Sequence, residues 1–266
     1  MPQSTVSLNR WNALNLSGHC AILRPPASQY LDPAVIKRKI AKLMDALASR
    51  VARAQVNLET HPFTILRQRA AKEAADFIEL HGRNAILVQD QRELIDYALS
   101  RVTVDGLYME FGVHRGASIR HIANQIDRAV YGFDSFEGLP TDGTGTNWRQ
   151  SQFNCSGDLP TVPDNAILCK GWFDQTLPTF LENNTGCAAF IHIDCDLYES
   201  ALYVLNSVGE RMTAGTILLF DDWFNFPGWQ GHEYRAFQEF QKRCRVAYRH
   251  IGFARQQTAI IIEQIG

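Results

Sequence analysis

Three things are missing from this sequence of 266 residues, and each narrows its class. No apolar stretch reaches the roughly 18 to 20 residues that a membrane-spanning helix needs, so we expect no membrane partner. The formal net charge is only −2, and this balance gives no reason to expect binding to nucleic acid. The N-terminus also lacks a basic segment followed by an apolar one, so we expect a cytoplasmic protein.

Cysteines spaced to hold a zinc ion are also missing. The six cysteines are scattered, and no two of them form a C-x-x-C pair. Such a pair would suggest a metal cage, whereas a dense set in a short secreted chain would suggest disulfides. We therefore expect reduced thiols that are mostly buried. Because 45% of the residues are hydrophobic and 20% are charged, the chain can bury one good core.

The first hundred residues have a helical pattern. Asp32 is a suitable N-cap for a helix whose first residue is Pro33. Apolar residues then recur at helical spacing along one stripe: Ile36, Ile40, Leu43, Leu47 and Val51. We predict a helical extension over residues 1–100 that either covers an acceptor site or forms a dimer interface. A homo-oligomer is therefore expected.

From residue 101 to residue 266 short apolar strands alternate with helices. The predicted strands include "GLYMEFGV", "AVYGFD", "AILCKGWF", "CAAFIHID", "GTILLFDD" and "QTAIIIEQ". Alternation of this kind is typical of a doubly wound α/β sheet, whose ligands bind beyond the carboxyl ends of the strands. Acidic residues fall at four of these ends: Glu110, Asp134, Asp194 and Asp221.

The segment "EFGVHRGAS" predicts a ligand-binding turn between a strand and a helix. Gly112 and Gly116 would let a ligand approach the backbone, and the helix N-terminus would present free amides. The spacing is not G-x-G-x-x-G, and Glu110 would repel a pyrophosphate. This disfavours a dinucleotide and favours a ligand with a cationic group and a nucleoside. The alternative is an ordinary turn with two glycines.

Asp134 ends the next strand, in "YGFDSFEGLP". A carboxylate at this position commonly accepts hydrogen bonds from ribose hydroxyls, because it lies beside the glycine turn. The alternative is an Asx turn or helix cap ahead of Ser135.

Two acidic pairs, Asp194 with Asp196 and Asp221 with Asp222, follow two further strands. Carboxylates gathered at one edge of a sheet repel each other at neutral pH unless a cation neutralises them. Ligand sets made of oxygen atoms favour Mg²⁺ or Ca²⁺. The pairs therefore predict a metal site, although helix capping or surface solvation would explain either pair alone.

Five segments together resemble the macrocin O-methyltransferase family, whose members include enzymes that methylate sugar hydroxyls of macrolide and aminocoumarin antibiotics. They are "MEFGVHRGAS", "YGFDSFEGLP", "GWFDQTLP", "HIDCDLYES" and "ILLFDDW", in that order. The resemblance implies a class I methyltransferase fold, which is Rossmann-like. It also implies S-adenosylmethionine and Mg²⁺ as cofactors, and a hydroxylated small molecule as methyl acceptor.

The resemblance also implies roles for individual residues. Those implied to bind S-adenosylmethionine are Glu110, Gly112, Gly116, Ser118, Asp134, Ser135, Gly171, Trp172 and Phe173. Those implied to hold the metal are Asp194, Asp221 and Asp222. Asp196 would be the general base, and Asp194 is the second catalytic candidate.

Other functions remain open at this point. "IDCDLYES" and "LLFDD" are also similar to motifs of haloacid-dehalogenase phosphatases, except that Tyr198 stands where those enzymes want Thr or Val. A D-x-D glycosyltransferase would use the same carboxylates but leaves "EFGVHRGAS" unexplained. A binding module without catalysis is disfavoured by the intact acidic set.

Histidines and tryptophans near these motifs are weaker candidates. His192 alternates with apolar residues, as a hydrogen-bonded core histidine would, whereas His114 lies in the glycine turn and could contact a ligand carboxylate. His232 and Glu233 have no informative spacing. Trp223 and Trp229 could shape an acceptor pocket or pack a lid.

Overall fold

A computed structural model describes residues 32–266. The chain divides into two compact units, the first ending at Asn57 and the second comprising Leu58–Gly266. The described residues form seven α-helices: α1 Pro33–Thr60, α2 Pro62–His81, α3 Gln91–Ser100, α4 Ala117–Gln125, α5 Phe173–Asn183, α6 Tyr198–Val208 and α7 Glu233–Arg243. The predicted extension over residues 1–100 therefore contributes α2 and α3 to the second unit.

Helix α1 begins where the sequence predicts. The Asp32 carboxylate accepts a hydrogen bond from the Ala34 amide at 2.8 Å, as an N-cap does. The predicted apolar stripe is solvent-exposed, and Leu43 retains 70% of its accessible surface. No helix in the described residues is long and apolar enough to cross a membrane.

The second unit is built on an eight-stranded sheet in the order β1-β7-β8-β6-β5-β2-β3-β4. Its strands are β1 Ile86–Leu87, β2 Leu107–Phe111, β3 Val130–Asp134, β4 Ala166–Lys170, β5 Ala188–Ile193, β6 Ile217–Phe220, β7 Ala247–Phe253 and β8 Thr258–Gln264. β8 runs antiparallel to β6 and β7, whereas the other neighbouring strands are parallel. The predicted doubly wound α/β fold is confirmed.

Two local predictions differ from the structure. The predicted strand "AILCKGWF" ends at Lys170, because Gly171 adopts a φ of 142° and α5 begins at Phe173. Strands β1 and β7 were not predicted. β1 is only two residues long, and β7 carries the polar residues Arg249 and His250 between its apolar ones, so neither shows a clear apolar run.

The strand order reverses between β2 and β5. β2 leads along the chain to β3 on one side, and β5 returns to pair with its other side, with Phe111 opposite Ile193. In such sheets the crevice at the reversal point, beyond the carboxyl ends of the strands, is where ligands bind. Every residue of β5 is buried, so the hydrophobic core extends along this central strand as far as the crevice.

Candidate active site

A cavity lies at the carboxyl ends of β2, β3, β4 and β5; it is called the first cavity here. It is lined by Gly112, His114, Asp134, Ser135, Gly138, Leu139, Pro140, Phe153, Gly171, Trp172, Phe173, Asp194, Cys195, Asp196 and Ser200. Six of the nine residues that the sequence assigns to S-adenosylmethionine lie here. The other three, Glu110, Gly116 and Ser118, do not line it.

Gly112 sets the shape of the first cavity because β2 and β5 approach closely there. Its φ is +96°, and a Cβ atom at this position would lie 1.7 Å from the Asp194 carbonyl oxygen. The Asp194 amide donates to the Phe111 carbonyl at 2.8 Å, which fixes that oxygen in place. Only glycine fits, since any side chain would be strained in φ and would collide with backbone.

Asp134 holds the glycine turn against the end of β3. Its Oδ2 accepts hydrogen bonds from the amides of Val113 at 2.8 Å and His114 at 2.7 Å. Its Oδ1 accepts from the Phe136 amide at 2.7 Å, which is the Asx turn considered for this residue. A carboxylate has about four acceptor positions, so Asp134 keeps capacity for a ligand while it orders the turn.

Glu110 lies behind the first cavity, fully buried in β2. Its carboxylate accepts a hydrogen bond from the Ser118 hydroxyl at 3.0 Å and lies 3.2 Å from His192 Nδ1. The structure thus places Glu110 and Ser118 in contact with each other, and neither of them lines the first cavity. Gly116, two residues before Ser118, is the N-cap of α4 at a φ of +75°. These three residues set the position of α4 relative to β2 and β5.

The ends of β5 and β6 form a group of potential metal ligands. One ligand atom each from His192, Asp194 and Asp221 lie within 4.8 Å of one another. His192 Nε2 is 4.0 Å from Asp221 Oδ1, and this buried nitrogen has no hydrogen-bond partner. The prediction that His192 is a hydrogen-bonded core histidine therefore holds for Nδ1 but not for Nε2.

Asp221 is held by two amides from outside the acidic motif. It accepts hydrogen bonds from the side chains of Gln91, at the start of α3, and Gln257, just before β8. Burial raises the pKa of Asp194, and the charges of Asp221 and Asp196 raise it further. A divalent cation would remove this cost and give His192 Nε2 a partner, so the residues present fit a metal ion.

Asp222 is not part of this group of three. Its carboxyl group is hydrogen-bonded to that of Asp196, and burial raises the pKa of Asp222 well above its usual range. Asp196 occupies the left-handed region at a φ of +59°, which is uncommon for a residue with a side chain. Burial, and secondarily the charge of Glu233, raise the pKa of Asp196 to about 8.

Glu233 was not assigned a role from the sequence, yet it connects the two acidic motifs. It is fully buried at the start of α7 and accepts hydrogen bonds from the amides of Cys195 and Asp222, both at 3.1 Å. It therefore fixes the loops after β5 and β6 relative to each other. Its spacing from both motifs gave no signal, because only the return of α7 to the sheet brings it there.

A second cavity lies on the other side of Asp222. It is bordered by α2, residues 146–148, the loop after β6, and the turn between β7 and β8. It is lined by Phe63, Thr64, Arg67, Gln68, Ala71, Thr146, Asn147, Trp148, Asp222, Asn225, Phe226, Pro227, Arg255 and Gln256. The acidic cluster thus separates two cavities, with Asp194 and Asp196 facing the first and Asp222 facing the second.

The remaining candidates take supporting places. His232 Nε2 lies 3.0 Å from the Thr144 carbonyl oxygen, and its ring packs against Trp148. Trp223 and Trp229 are buried and pack around Phe77 of α2, so they shape the wall between α2 and the sheet. His114 faces the first cavity.

The raised pKa values predict a dependence of stability on pH. Because the pKa of Asp196 is about 8 in the folded state and 3.8 ordinarily, the folded protein binds more protons between these values. Its free energy of unfolding should therefore fall as the pH rises through 8. For EDTA-treated protein we expect a lower melting temperature at pH 8.5 than at pH 6.5, measured by calorimetry.

This pH window avoids the histidines with lowered pKa values, whose effect has the opposite sign and begins below about pH 6.5. Asp196→Asn should reduce the difference between the two melting temperatures. A melting temperature that rises with pH in the parent protein would contradict the prediction.

Comparison with known proteins identifies the class. Residues 109–223 match a family model described as a methyltransferase domain, and this segment contains the glycine turn and all four aspartates of the acidic motifs. The class is therefore that of proteins with the class I methyltransferase fold.

One characterised relative is an O-methyltransferase. The chain is 28% identical over 155 residues to 8-demethyl-8-(2,3-dimethoxy-alpha-L-rhamnosyl)-tetracenomycin-C 4'-O-methyltransferase of Streptomyces olivaceus, over 48% of this chain and 58% of that relative. The match thus spans little more than half of the relative's length.

Two solved structures have a similar fold. The calicheamicin methyltransferase CalS11 is 20% identical, with a TM-score of 0.53 over 80% of this chain and 91% of its own. The O-methyltransferase NovP is 22% identical, with a TM-score of 0.51 over 65% of this chain and 78% of its own.

Proposed function

We propose that the protein is an S-adenosylmethionine-dependent O-methyltransferase that methylates a hydroxyl group of a sugar in a natural product, assisted by Mg²⁺. The observation that carries this proposal is the acidic cluster between two cavities. A methyl donor in the first cavity and an acceptor in the second would meet at Asp194, Asp196 and Asp222. The printed activity of the Streptomyces olivaceus relative, on a rhamnosyl group, supports the sugar acceptor.

The first cavity suits the methyl donor. The Gly112 turn, the Asp134 carboxylate and the aromatic rings of Trp172 and Phe173 would contact the methionine, ribose and adenine parts. A sulfonium methyl group is already activated, so the protein has to align it with the acceptor oxygen. The fixed Gly112 turn and Asp134 would supply this alignment.

The metal would be held by Asp194 and Asp221, with His192 Nε2 as a further possible donor atom. A bound divalent ion supplies charge stabilisation for an alkoxide and orients it. Asp222, which is hydrogen-bonded to Asp196 and lines the second cavity, would face the acceptor. Gln91, Gln257 and Glu233 would keep the three carboxylates in place.

Asp196 would act as the general base. The acceptor oxygen forms a bond to the methyl carbon, the bond between this carbon and sulfur breaks, and the hydroxyl proton passes to the Asp196 carboxylate. S-adenosylhomocysteine leaves with the electron pair on sulfur. Burial raises the pKa of Asp196 to about 8, and a bound divalent cation would lower it so that the carboxylate could accept a proton near neutral pH. Proton transfer to a positioned base is typically worth about 10²–10⁴-fold in rate.

Neither a phosphatase function nor a D-x-D glycosyltransferase function is supported. The matched family model describes a methyltransferase domain and covers both acidic motifs on which those alternatives depended.

The function is tested by isothermal titration of EDTA-treated protein with S-adenosylmethionine, without and with Mg²⁺. We expect saturable binding of S-adenosylmethionine in both titrations. A separate Mg²⁺ heat should appear in the parent protein and disappear in Asp221→Asn, whose altered side chain lines neither cavity. Absence of S-adenosylmethionine binding would overturn the proposal, and a Mg²⁺ heat that persists in Asp221→Asn would overturn its metal site.

A further inference from the structure

We propose that the second cavity binds an acceptor with a diphosphate group, in which the sugar to be methylated is attached to a nucleoside diphosphate. This inference rests on the proposed function, because it assigns the acceptor to this cavity. It goes beyond it by distinguishing a nucleotide-activated sugar from a sugar already transferred to its final scaffold. The positive charge, the fixed backbone and the aromatic side chains of the second cavity support this inference.

The side chains that line the second cavity include more basic groups than acidic ones. Arg67 and Arg255 line it, and Asp222 is its only acidic lining residue. The lining thus carries two cationic side chains and one carboxyl group, and Asp222 is buried whereas both arginines are exposed. Within residues 32–266 neither guanidinium lies within 4 Å of a carboxylate, although other exposed arginines, such as Arg235 and Arg249, do.

Two uncompensated guanidinium groups in one cavity favour a ligand with an anionic group. Arginine presents several N–H donors in a fixed plane, which match the oxygens of a phosphate. The two residues come from distant parts of the chain, on α2 and on the turn between β7 and β8. They line one cavity only in the folded protein, and a diphosphate carries two anionic groups, one for each guanidinium.

The backbone around Arg255 is fixed relative to the acidic cluster. The Gln256 carbonyl accepts hydrogen bonds from the amides of Trp223 and Phe224, the residues that follow Asp222. The Asn225 side chain donates to the Arg255 carbonyl at 2.7 Å. The turn that carries Arg255 is therefore joined to the loop that carries Asp222.

Helix α2 is joined to the same loop. Glu73 accepts hydrogen bonds from Trp229 Nε1 at 3.0 Å and from the side chain of Gln230 at 2.6 Å. On the preceding turns of α2, the Arg67 guanidinium lies over the Phe63 ring, 5.1 Å from its centroid. The Arg67 side chain is thus partly ordered before a ligand binds, which reduces the conformational entropy that is lost on binding.

The aromatic and amide side chains of the cavity suit a nucleobase. Phe63, Trp148 and Phe226 contribute ring surface, and Trp148 packs against Phe226 with ring centroids 5.1 Å apart. Gln68, Asn147, Asn225 and Gln256 offer hydrogen-bond donors and acceptors. A ligand with a flat base, two phosphates and a sugar diol would use the rings, the arginines and the acidic cluster in turn.

The test is a titration of the parent protein, saturated with S-adenosylhomocysteine and kept in EDTA, with UDP, TDP, CDP, GDP and ADP. EDTA prevents a diphosphate from binding through a metal ion at the acidic cluster. We expect at least one nucleoside diphosphate to bind, at least tenfold more tightly than its nucleoside and than inorganic pyrophosphate. Both Arg67→Gln and Arg255→Gln should weaken this binding at least tenfold.

Arg69→Gln is the matched control, since Arg69 is an exposed arginine on the same helix that does not line the cavity. It should leave the affinity unchanged. The inference is overturned if none of the five diphosphates binds, if pyrophosphate binds as tightly as they do, or if neither arginine variant weakens binding. Binding of S-adenosylhomocysteine, measured on the same samples, separates these outcomes from a failure of the proposed function.

Discussion

Replacing Asp194 with alanine is expected to lower kcat/KM for methyl transfer by about 10³-fold or more, while the affinity for S-adenosylmethionine stays largely intact. Asp194 is in the group of potential metal ligands, so under the proposed mechanism its loss would remove a ligand of the divalent ion that would stabilise the developing alkoxide. Effects of this kind are worth several kcal/mol, or about 10³-fold in rate. Turnover measured with a sugar acceptor and calorimetric titration with S-adenosylmethionine check both parts.

Asp127→Ala is the control for this variant. Asp127 is exposed and precedes β3, at the opposite end of the strands from the cavities, so its removal should change neither quantity. An equal loss of turnover and of S-adenosylmethionine affinity in Asp194→Ala would count against the metal site, because Asp194 would then be a residue of the donor cavity alone.

Replacing Gly112 with alanine is expected to abolish measurable binding of S-adenosylmethionine and to destabilise the fold. The added Cβ would be 1.7 Å from the Asp194 carbonyl oxygen, and the φ of +96° is strained for alanine. Left-handed strain costs roughly 1–2 kcal/mol and overpacking roughly 1–3 kcal/mol, so a loss of about 2–5 kcal/mol is expected. Chemical denaturation and titration calorimetry measure the two effects.

Gly145→Ala separates strain from collision. Gly145 has a φ of +80°, but an added Cβ would meet no atom within 4 Å. We therefore expect only the strain, about 1–2 kcal/mol, with normal binding of S-adenosylmethionine. If the two variants were equally stable and both bound the cofactor, the close approach of β2 and β5 would not be what shapes the donor cavity.

Much of the fold could be predicted because its signals are local. Alternating strands and helices, and glycines and aspartates at strand ends, indicated a doubly wound sheet with its ligands at one edge, and the structure confirms this fold. β7 was missed because Arg249 and His250 interrupt its apolar pattern. Arg249 is exposed and pairs with Glu263, whereas the buried His250 is hydrogen-bonded to Thr258, so the strand accommodates both polar residues.

The site was only partly predictable. Gly112, Asp134 and Asp194 could be found because a strand end fixes where each must lie, and the first cavity contains all three. Glu110 and Ser118 share the same motif, yet they hydrogen-bond to each other and do not line the cavity, because the packing of α4 against β2 brings these two side chains together.

The sequence by itself determined the class of fold, the carboxyl ends of the strands as the place of the candidate site, and the residue types available there. These follow from hydrophobic periodicity and from the few residues that a strand end or tight turn allows. Only the tertiary structure decided that Glu233 joins the two acidic motifs, that Asp222 pairs with Asp196, and that His192 Nε2 lies near Asp221. Such contacts depend on how distant segments pack, and no spacing along the chain records that packing.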